Sequence, residues 1–267
     1  MSEQTNENNP QQANRQIARA AGTIFAAMAF GQIIGQIAKI VTVSTFGTSI
    51  ELDAYNAANR VSETIYLLVA GAAIASFFIP VFTTLLTNEK KKQAWHLAAS
   101  IVNIVTIVLF ILSALVMAFT KPLVEHVLAP GFTPEQQIIT AQLLRILMPT
   151  TIIFGASGPI LGILNSHQKF LLPALAPSMY QFGIIIGVLF LSPTMGINGL
   201  AWGTLLGSAL HLIGQLPQLL RLPDRSYDFI LGLKNEKVRE VILLMLPRLL
   251  GVAVVQLNFW VNTIIAS

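Results

Sequence analysis

Within a long apolar run, three polar side chains recur at helical spacing: Gln32, Gln36 and Lys39, at i, i+4 and i+7 of GQIIGQIAK. That spacing places them on one face of a helix. Two carboxamides and an ammonium group on one stripe can hold a polar, anionic ligand. Lys39 lies deep in its run, which favours a hydrated cavity around it over a lysine folded against backbone carbonyls. A second stripe follows. Asn56, Asn59/Arg60 and Glu63 fall at i, i+3/i+4 and i+7, with Asp53 one turn earlier. It reads equally as the outer half of the same cavity, with Arg60 binding an anion, or as a helix end among lipid headgroups, where charge costs little.

Two further arginines sit beside prolines. Arg145 (LLRILMP) precedes Pro149 by one turn, and Arg248 (MLPRLLG) follows Pro247 directly. Proline frees a carbonyl about one turn before it, and a guanidinium can satisfy that group. For Arg145 the structural role is favoured; Arg248 reads equally as structural or as part of a cavity. Asn258 and Asn262 add a polar face further on. Gly31 and Gly35 form a GxxxG step suited to close helix packing. Gly71, Pro80, Gly155, Gly158, Pro159, Gly162 and Pro247 point to bent helices, which suit a transporter. No paired carboxylates, Ser/His/Asp set or phosphate loop is present, so an enzyme is not expected. Cysteine is absent, and His96, His126, His167 and His211 stand far apart in the chain. Their expected role is bundle packing, and neither a metal nor a cofactor is expected.

These residues sit in an unusually apolar chain. Of 267 residues 54% are apolar and only 10% charged, with a mean hydropathy of +0.68. Soluble domains carry about 25% charged residues. So few charges cannot build a water-facing surface, which excludes a soluble enzyme, a nucleic-acid-binding module and a disordered chain. An all-α, polytopic membrane bundle remains. Seven stretches are long and apolar enough to span: about 20–46, 61–86, 97–119, 138–164, 172–191, 199–220 and 238–266. Eleven of the sixteen Lys and Arg fall on one side of these spans, in residues 15–19, 90–92, 169 and 221–239. The positive-inside rule therefore puts the N-terminus in the cytoplasm. The net charge of +4 reflects this loop asymmetry rather than a nucleic-acid partner. Residues 1–16, opening on MSEQTNENNPQQAN, read as a disordered cytoplasmic tail. In the loop RLPDRSYDFILGLKNEK, the Tyr227/Phe229/Ile230/Leu231 group is placed to lie in the membrane interface. The odd span count and the flush apolar ending at Ser267 read as a fragment of a longer protein.

Several strings resemble one family, the MviN/MurJ lipid II flippases of the multidrug/oligosaccharidyl-lipid/polysaccharide exporter superfamily. FGTSIELDAYNAANRV is similar to the family's segment joining spans one and two, and SFFIPVF to its close of span two. LAPGF at 128–132 resembles the outer loop after span three, and LLRILMP the opening of span four. GILNSHQKFLLPALAPSMYQ is similar to the inner span four–five junction, with Asn165, Phe170, Pro173 and Pro177 in register. LAWGTLLGSALHLIGQLPQL and LPRLLGVAVVQLNFWVNTIIAS look like spans six and seven. Seven such motifs in order cover about residues 20–267.

The resemblance implies a multi-pass protein of the bacterial cytoplasmic (inner) membrane, built as two lobes around a central basic cavity. This chain would supply the first lobe of that inverted-access fold. Residues 17–222 would be the six-helix lobe, 223–237 the cytoplasmic interlobe loop and 238–267 the seventh helix. The implied activity is movement of undecaprenyl-pyrophosphate-linked peptidoglycan precursor from inner to outer leaflet. Implied partners are that precursor, membrane lipids and cell-wall synthesis proteins. The family's span-one pattern S-R-x-x-G-x-x-R has its first arginine at Gln32 and its second at Ala38, with Lys39 one position on. Its span-two R-x-x-x-x-E-G string is replaced by Tyr66, Leu67, Gly71 and Ala72. Lys39, Arg60 and Arg248 are the cations left to meet a pyrophosphate, with Gln32, Gln36 and Asn59 as polar walls and Asp53 and Glu63 for gating or ion coupling. Other readings are an exporter of another lipid-linked glycan and a non-transporting scaffold that has lost the arginine clamp.

Overall fold

The computed structural model describes residues 10–67, 74–245, 247, 250–251 and 254, and every regular element among them is a helix. Helix α1 (Pro10–Phe46) takes in residues 10–16 of the expected tail and ends at Gly47, whose φ of +61° is the left-handed stop that glycine supplies cheaply. Helix α2 (Ile50–Tyr66) starts eleven residues before the expected second span. Ser49 caps it, its Oγ accepting from the Leu52 N–H, and Glu51 and Asp53 in the first turn complement the helix dipole. Leu52, Tyr55, Ala58 and Val61 form its buried face. The opposite face is polar, and an averaged hydropathy scale misses a helix of that kind.

The second crossing resumes with a π-helical turn (Ile74–Phe78) and α3 (Ile79–Thr87). Helix α4 (Lys91–Ala118) follows, then α5 (Thr120–Leu123) and a second π turn (Val124–Leu128). Helix α6 (Pro134–Ser166) opens on a capping box. The Thr133 N–H donates to Gln136 Oε1 at 2.8 Å, and the Gln136 N–H donates back to Thr133 Oγ1. Helix α7 (Leu171–Ile186) runs through a third π turn (Gly187–Leu191) into α8 (Ser192–Met195). Helix α9 (Ile197–Ile213) stops at Gly214, and α10 (Leu216–Leu220) carries the chain on; the sequence reading has these as one span. A last helix begins at 236.

Four of these stretches can cross a membrane unaided by length and composition: Ala21–Phe46, Lys91–Ala118, Pro134–Ser166 and Leu171–Met195. The expected second and sixth spans fall on shorter helices, and most of the seventh lies outside the described residues.

Helix α6 is central, packing on α2, α4 and α9, while α7 packs on α1 and α9. Two clusters fill the bundle. Phe78, Phe82, Trp95, Leu97 and Leu164 pack toward the Lys90 end, and Leu52, Leu143, Leu144, Met148 and Leu200 toward the other. Lipid is as apolar as leucine, so close approach, more than the hydrophobic effect, holds helices together there. The α7–α9 seam shows it. A Cβ on Gly203 would stand 2.8 Å from the Gly183 carbonyl oxygen and 2.9 Å from the Gly187 nitrogen. Gly183, Gly187, Gly199, Gly203 and Gly207 all face neighbouring backbone in this way.

The segment after α10 straps back across α4. The buried Asn103 carboxamide donates to the carbonyls of Asp228 (3.1 Å) and Ile230 (2.8 Å) and accepts from the Tyr227 hydroxyl. Lys91 pairs with Asp224 at 2.6 Å. Gly232, at φ +58°, lies directly on Ser100.

Candidate functional site

The polar face of α2 meets α6 and α7 around a cavity of about 270 Å³, lined by Asn59, Ser62, Glu63, Tyr66, Thr150 and Tyr180 among others. Three contacts fix its walls. The Tyr55 hydroxyl and Thr204 Oγ1 lie 2.7 Å apart, tying α2 to α9 in the buried interior. Thr151 Oγ1 donates to the Ser62 carbonyl at 3.4 Å. The Phe154 ring packs between Tyr66, tilted at 5.4 Å, and Tyr180, edge-on at 5.3 Å, centroid to centroid. Ser62 Oγ is buried and has no hydrogen-bond partner among the described residues. A polar atom in that position leaves capacity for something that enters the cavity.

Behind Phe154 lies a buried polar cluster. Ser157 Oγ and His211 Nδ1 are 2.7 Å apart, and Gln215 Nε2 donates to Ser157 Oγ at 2.7 Å and to the His211 carbonyl at 3.0 Å. The Phe154 ring stands edge-on to His211 at 5.1 Å. This is a satisfied packing histidine, joining α6 to α9.

Helix α1 presents its stripe differently. Gln32 lines a groove of about 360 Å³ with Asn165, Pro177 and Gln181, against α7. Gly31 and Gly35 make that groove possible: a Cβ on Gly31 would lie 3.2 Å from Ser178 Oγ, and one on Gly35 3.7 Å from Gln181 Nε2. Gln36 and Lys39 stand exposed further along α1. Lys39 is seven residues, about 10 Å of helix, from the end at Phe46. That is close enough for a lysine stem to reach toward the interface, so its position is less deep than the sequence reading has it. Ala38, where the family pattern has its second arginine, is buried.

Of the remaining candidates, Asp53, Asn56 and Arg60 are exposed on α2, and Asn59 and Glu63 come together in the α2 cavity. Arg145 departs from the expected carbonyl-gluing role. It is exposed, makes no hydrogen bond or ion pair with any described residue, and lines a cavity of about 410 Å³ with Lys121, Glu125, Gln137 and Gln142. The residue freed by Pro149 is Arg145 itself, through its own carbonyl, so its side chain has no geometric path back to that oxygen. Pro149 is half-buried in α6, Pro80 sits exposed in the first turn of α3, and Pro247 is exposed on the last helix. Arg248, Asn258 and Asn262 lie outside the described residues. Among the described residues, no three His, Asp or Glu side chains are placed to hold a metal. The sequence reading missed Ser62, Thr150 and Tyr180. Ser62 adjoins Glu63, but the other two come from helices read for their apolar content, and only the packing of α6 on α2, with α7 across the cavity, brings them here.

A family model described as "Lipid II flippase MurJ" matches residues 42–267. The chain is similar to the probable lipid II flippase MurJ of Buchnera aphidicola subsp. Acyrthosiphon pisum, 27% identical over 245 residues, covering 88% of this chain and 47% of that protein. It is similar to the lipid II flippase MurJ of Burkholderia cenocepacia at 25% identity, covering 93% of this chain and 49% of the relative. Among solved structures, lipid II flippase MurJ in an inward closed conformation superposes with a TM-score of 0.70 at 26% identity, over 90% of this chain and 49% of that one. An inward-facing MATE-family multidrug transporter gives 0.69 at 17% identity, over 86% of this chain and 52% of that one, a likeness of fold alone. The chain spans about half the length of the curated relatives it matches. It belongs to the MurJ family, and it is a multi-pass membrane protein of helical transporter fold.

Proposed function

We propose that this MurJ-family chain forms the first lobe of a flippase that carries undecaprenyl-pyrophosphate-linked peptidoglycan precursor from the inner to the outer leaflet of the bacterial cytoplasmic membrane. The observation that carries the reading is the family match across residues 42–267, which takes in α2 and its polar face. On this reading residues 17–222 are the lobe, 223–237 the interlobe loop and 238–267 the seventh helix, with the N-terminus cytoplasmic. The protein moves its lipid substrate and does no covalent chemistry on it, and it works beside the cell-wall synthesis proteins that use the product.

The cations divide from the anion in a way that assigns roles. Lys39 and Arg60, exposed on α1 and α2, meet the pyrophosphate together with Arg248, while Gln32, Gln36 and Asn59 serve the sugar-peptide head. Asp53 and Glu63 gate the path or take the coupling ion. Glu63 supports this by its surroundings: its cavity offers Asn59, Thr150 and a buried, unpartnered Ser62 hydroxyl, all oxygen donors suited to a small cation or a proton.

The test is rescue of a bacterium depleted of its own lipid II flippase by the complete reading frame that carries this chain, with membrane levels checked. Rescue is expected, and Lys39→Glu should abolish it while the protein still inserts. A fully active Lys39→Glu variant would remove Lys39 from the substrate path. Failure of the unaltered frame despite normal insertion would overturn the assignment of this substrate.

A further inference from the structure

Beneath the strap lies a cavity of about 380 Å³, lined by none of the residues assigned above to substrate or coupling ion. Its floor is apolar: Trp95, Ala98 and Val102 on α4, Ile160 on α6 and Leu219 on α10. The α4 residues lie in the first three turns after Lys91, so the cavity sits at the depth of one leaflet, at the bundle end where Lys90, Lys91, Lys92, Arg221 and Arg225 gather. The strap supplies the rest of the wall through Arg225, Ser226 and Tyr227.

Arg225 is exposed and makes no hydrogen bond or ion pair with any described residue. The nearby acid Asp224 is already committed to Lys91. The strap is held by its backbone carbonyls on Asn103 and by that ion pair, so its apolar side chains are left outside: Phe229 is 78% exposed and Leu233 59%. Side chains of that kind next to free cations belong in a lipid interface.

We propose that this cavity seats one anionic phospholipid of the adjoining leaflet, with an acyl chain on the Trp95 floor and its phosphate on Arg225. A cavity of about 380 Å³ has room for an acyl segment along its apolar floor. The charge sets the class, because a guanidinium with no partner among the described residues can bind phosphate by charge-assisted, two-pronged hydrogen bonds. The cavity's lining shares no residue with α1 or α2, where the proposed function puts the substrate.

Trp95 makes the proposal measurable, since it is 5% exposed and lines the cavity. The complete reading frame, with every tryptophan except Trp95 replaced by phenylalanine, is reconstituted in phosphatidylcholine vesicles. Phosphatidylglycerol or phosphatidylcholine with brominated acyl chains is then added in steps, and quenching of Trp95 is read. Brominated phosphatidylglycerol should quench at a roughly fivefold lower mole fraction than brominated phosphatidylcholine, the preference one surface cation gives an anionic lipid. Arg225→Gln, in the exposed strap, should erase that preference and leave Trp95 quenchable. Ala99 on α4 also lines the cavity, and Ala99→Phe, which fills it, should abolish quenching by both lipids with helicity unchanged in circular dichroism. Identical curves for the two lipids in the protein with Arg225 intact would overturn the proposal. So would full quenching in a folded Ala99→Phe variant, because Trp95 would then be sensing bulk lipid.

Discussion

Replacing Gly203 by alanine tests the packing of the lobe at its tightest point. The added Cβ would stand 2.8 Å from the Gly183 carbonyl oxygen, 2.9 Å from the Gly187 nitrogen and closer still to the Gly187 Cα. Ordinary contact begins near 3.4 Å. All three obstacles are backbone, so no side chain can swing away and the helices themselves must part by roughly 0.5–1 Å, which forfeits a quarter to a half of each dispersion contact along the seam. Overpacking of this kind costs about 1–3 kcal/mol. Alanine returns about 0.8–1.0 kcal/mol of helix propensity. The net expectation is a loss of up to about 2 kcal/mol, at most a roughly thirtyfold shift toward the unfolded state. Gly22→Ala is the control, because nothing lies within 4 Å of its Cβ and only the propensity gain applies. Equilibrium unfolding in mixed micelles, followed by circular dichroism, should move the two variants in opposite directions. If both are stabilised, the seam is looser than the geometry states and the reasoning fails.

Tyr55→Phe removes the 2.7 Å bond to Thr204, which keeps its bond to the Leu200 carbonyl; a loss of about 0.5–1.5 kcal/mol is expected in the same unfolding assay. Asn103→Leu strips the strap of its two carbonyl partners and the Tyr227 hydroxyl of its acceptor, so limited proteolysis should cut residues 222–235 faster while the helices stay protected. Asp224→Asn removes the ion pair that ties the strap to Lys91, so a spin label at position 226 should be more mobile in that variant than in the unaltered protein.

What could be read from the chain alone depended on the period and polarity of each helix. Helices α4, α6 and α7 announce themselves because apolar residues surround them on all sides. Helix α2 does not, since Asp53, Asn56, Asn59 and Glu63 lower the average over a face that buries Leu52, Tyr55 and Val61. The capping serine at 49 and the acids at 51 and 53 were the available signal for its true start. Gly31 and Gly35 were legible as a close approach, yet the tighter seam at Gly199, Gly203 and Gly207 shows the same four-residue spacing and went unread. Its partners, Gly183 and Gly187, come from another helix, so the spacing signals a contact without naming what is contacted. Arg145 misled for a related reason: proximity to proline in sequence suggested a bond that the direction of the side chain does not allow.

The site divides along the same line. Spacing placed Asn59 and Glu63 on one face, but the character of that face depends on the side chains brought by α6 and α7. Thr150 and Tyr180 turn it into a cavity whose formal charge is one carboxylate, with Tyr66 standing where the family pattern has an arginine. Two like unit charges 4 Å apart repel by about 4 kcal/mol at an effective dielectric constant near 20. The carboxylate makes this cavity, on the proposed function, a poor seat for a pyrophosphate, which would lie instead along the exposed cations of α1 and α2. On the proposed function, loss of the arginines need not mean loss of transport. The same substitutions that thin the anion clamp put Tyr66, not an arginine, beside Glu63 in its cavity. Substrate and coupling ion would then occupy separate parts of one polar face, joined through α2, so that filling one can be felt at the other without the two charges sharing a pocket.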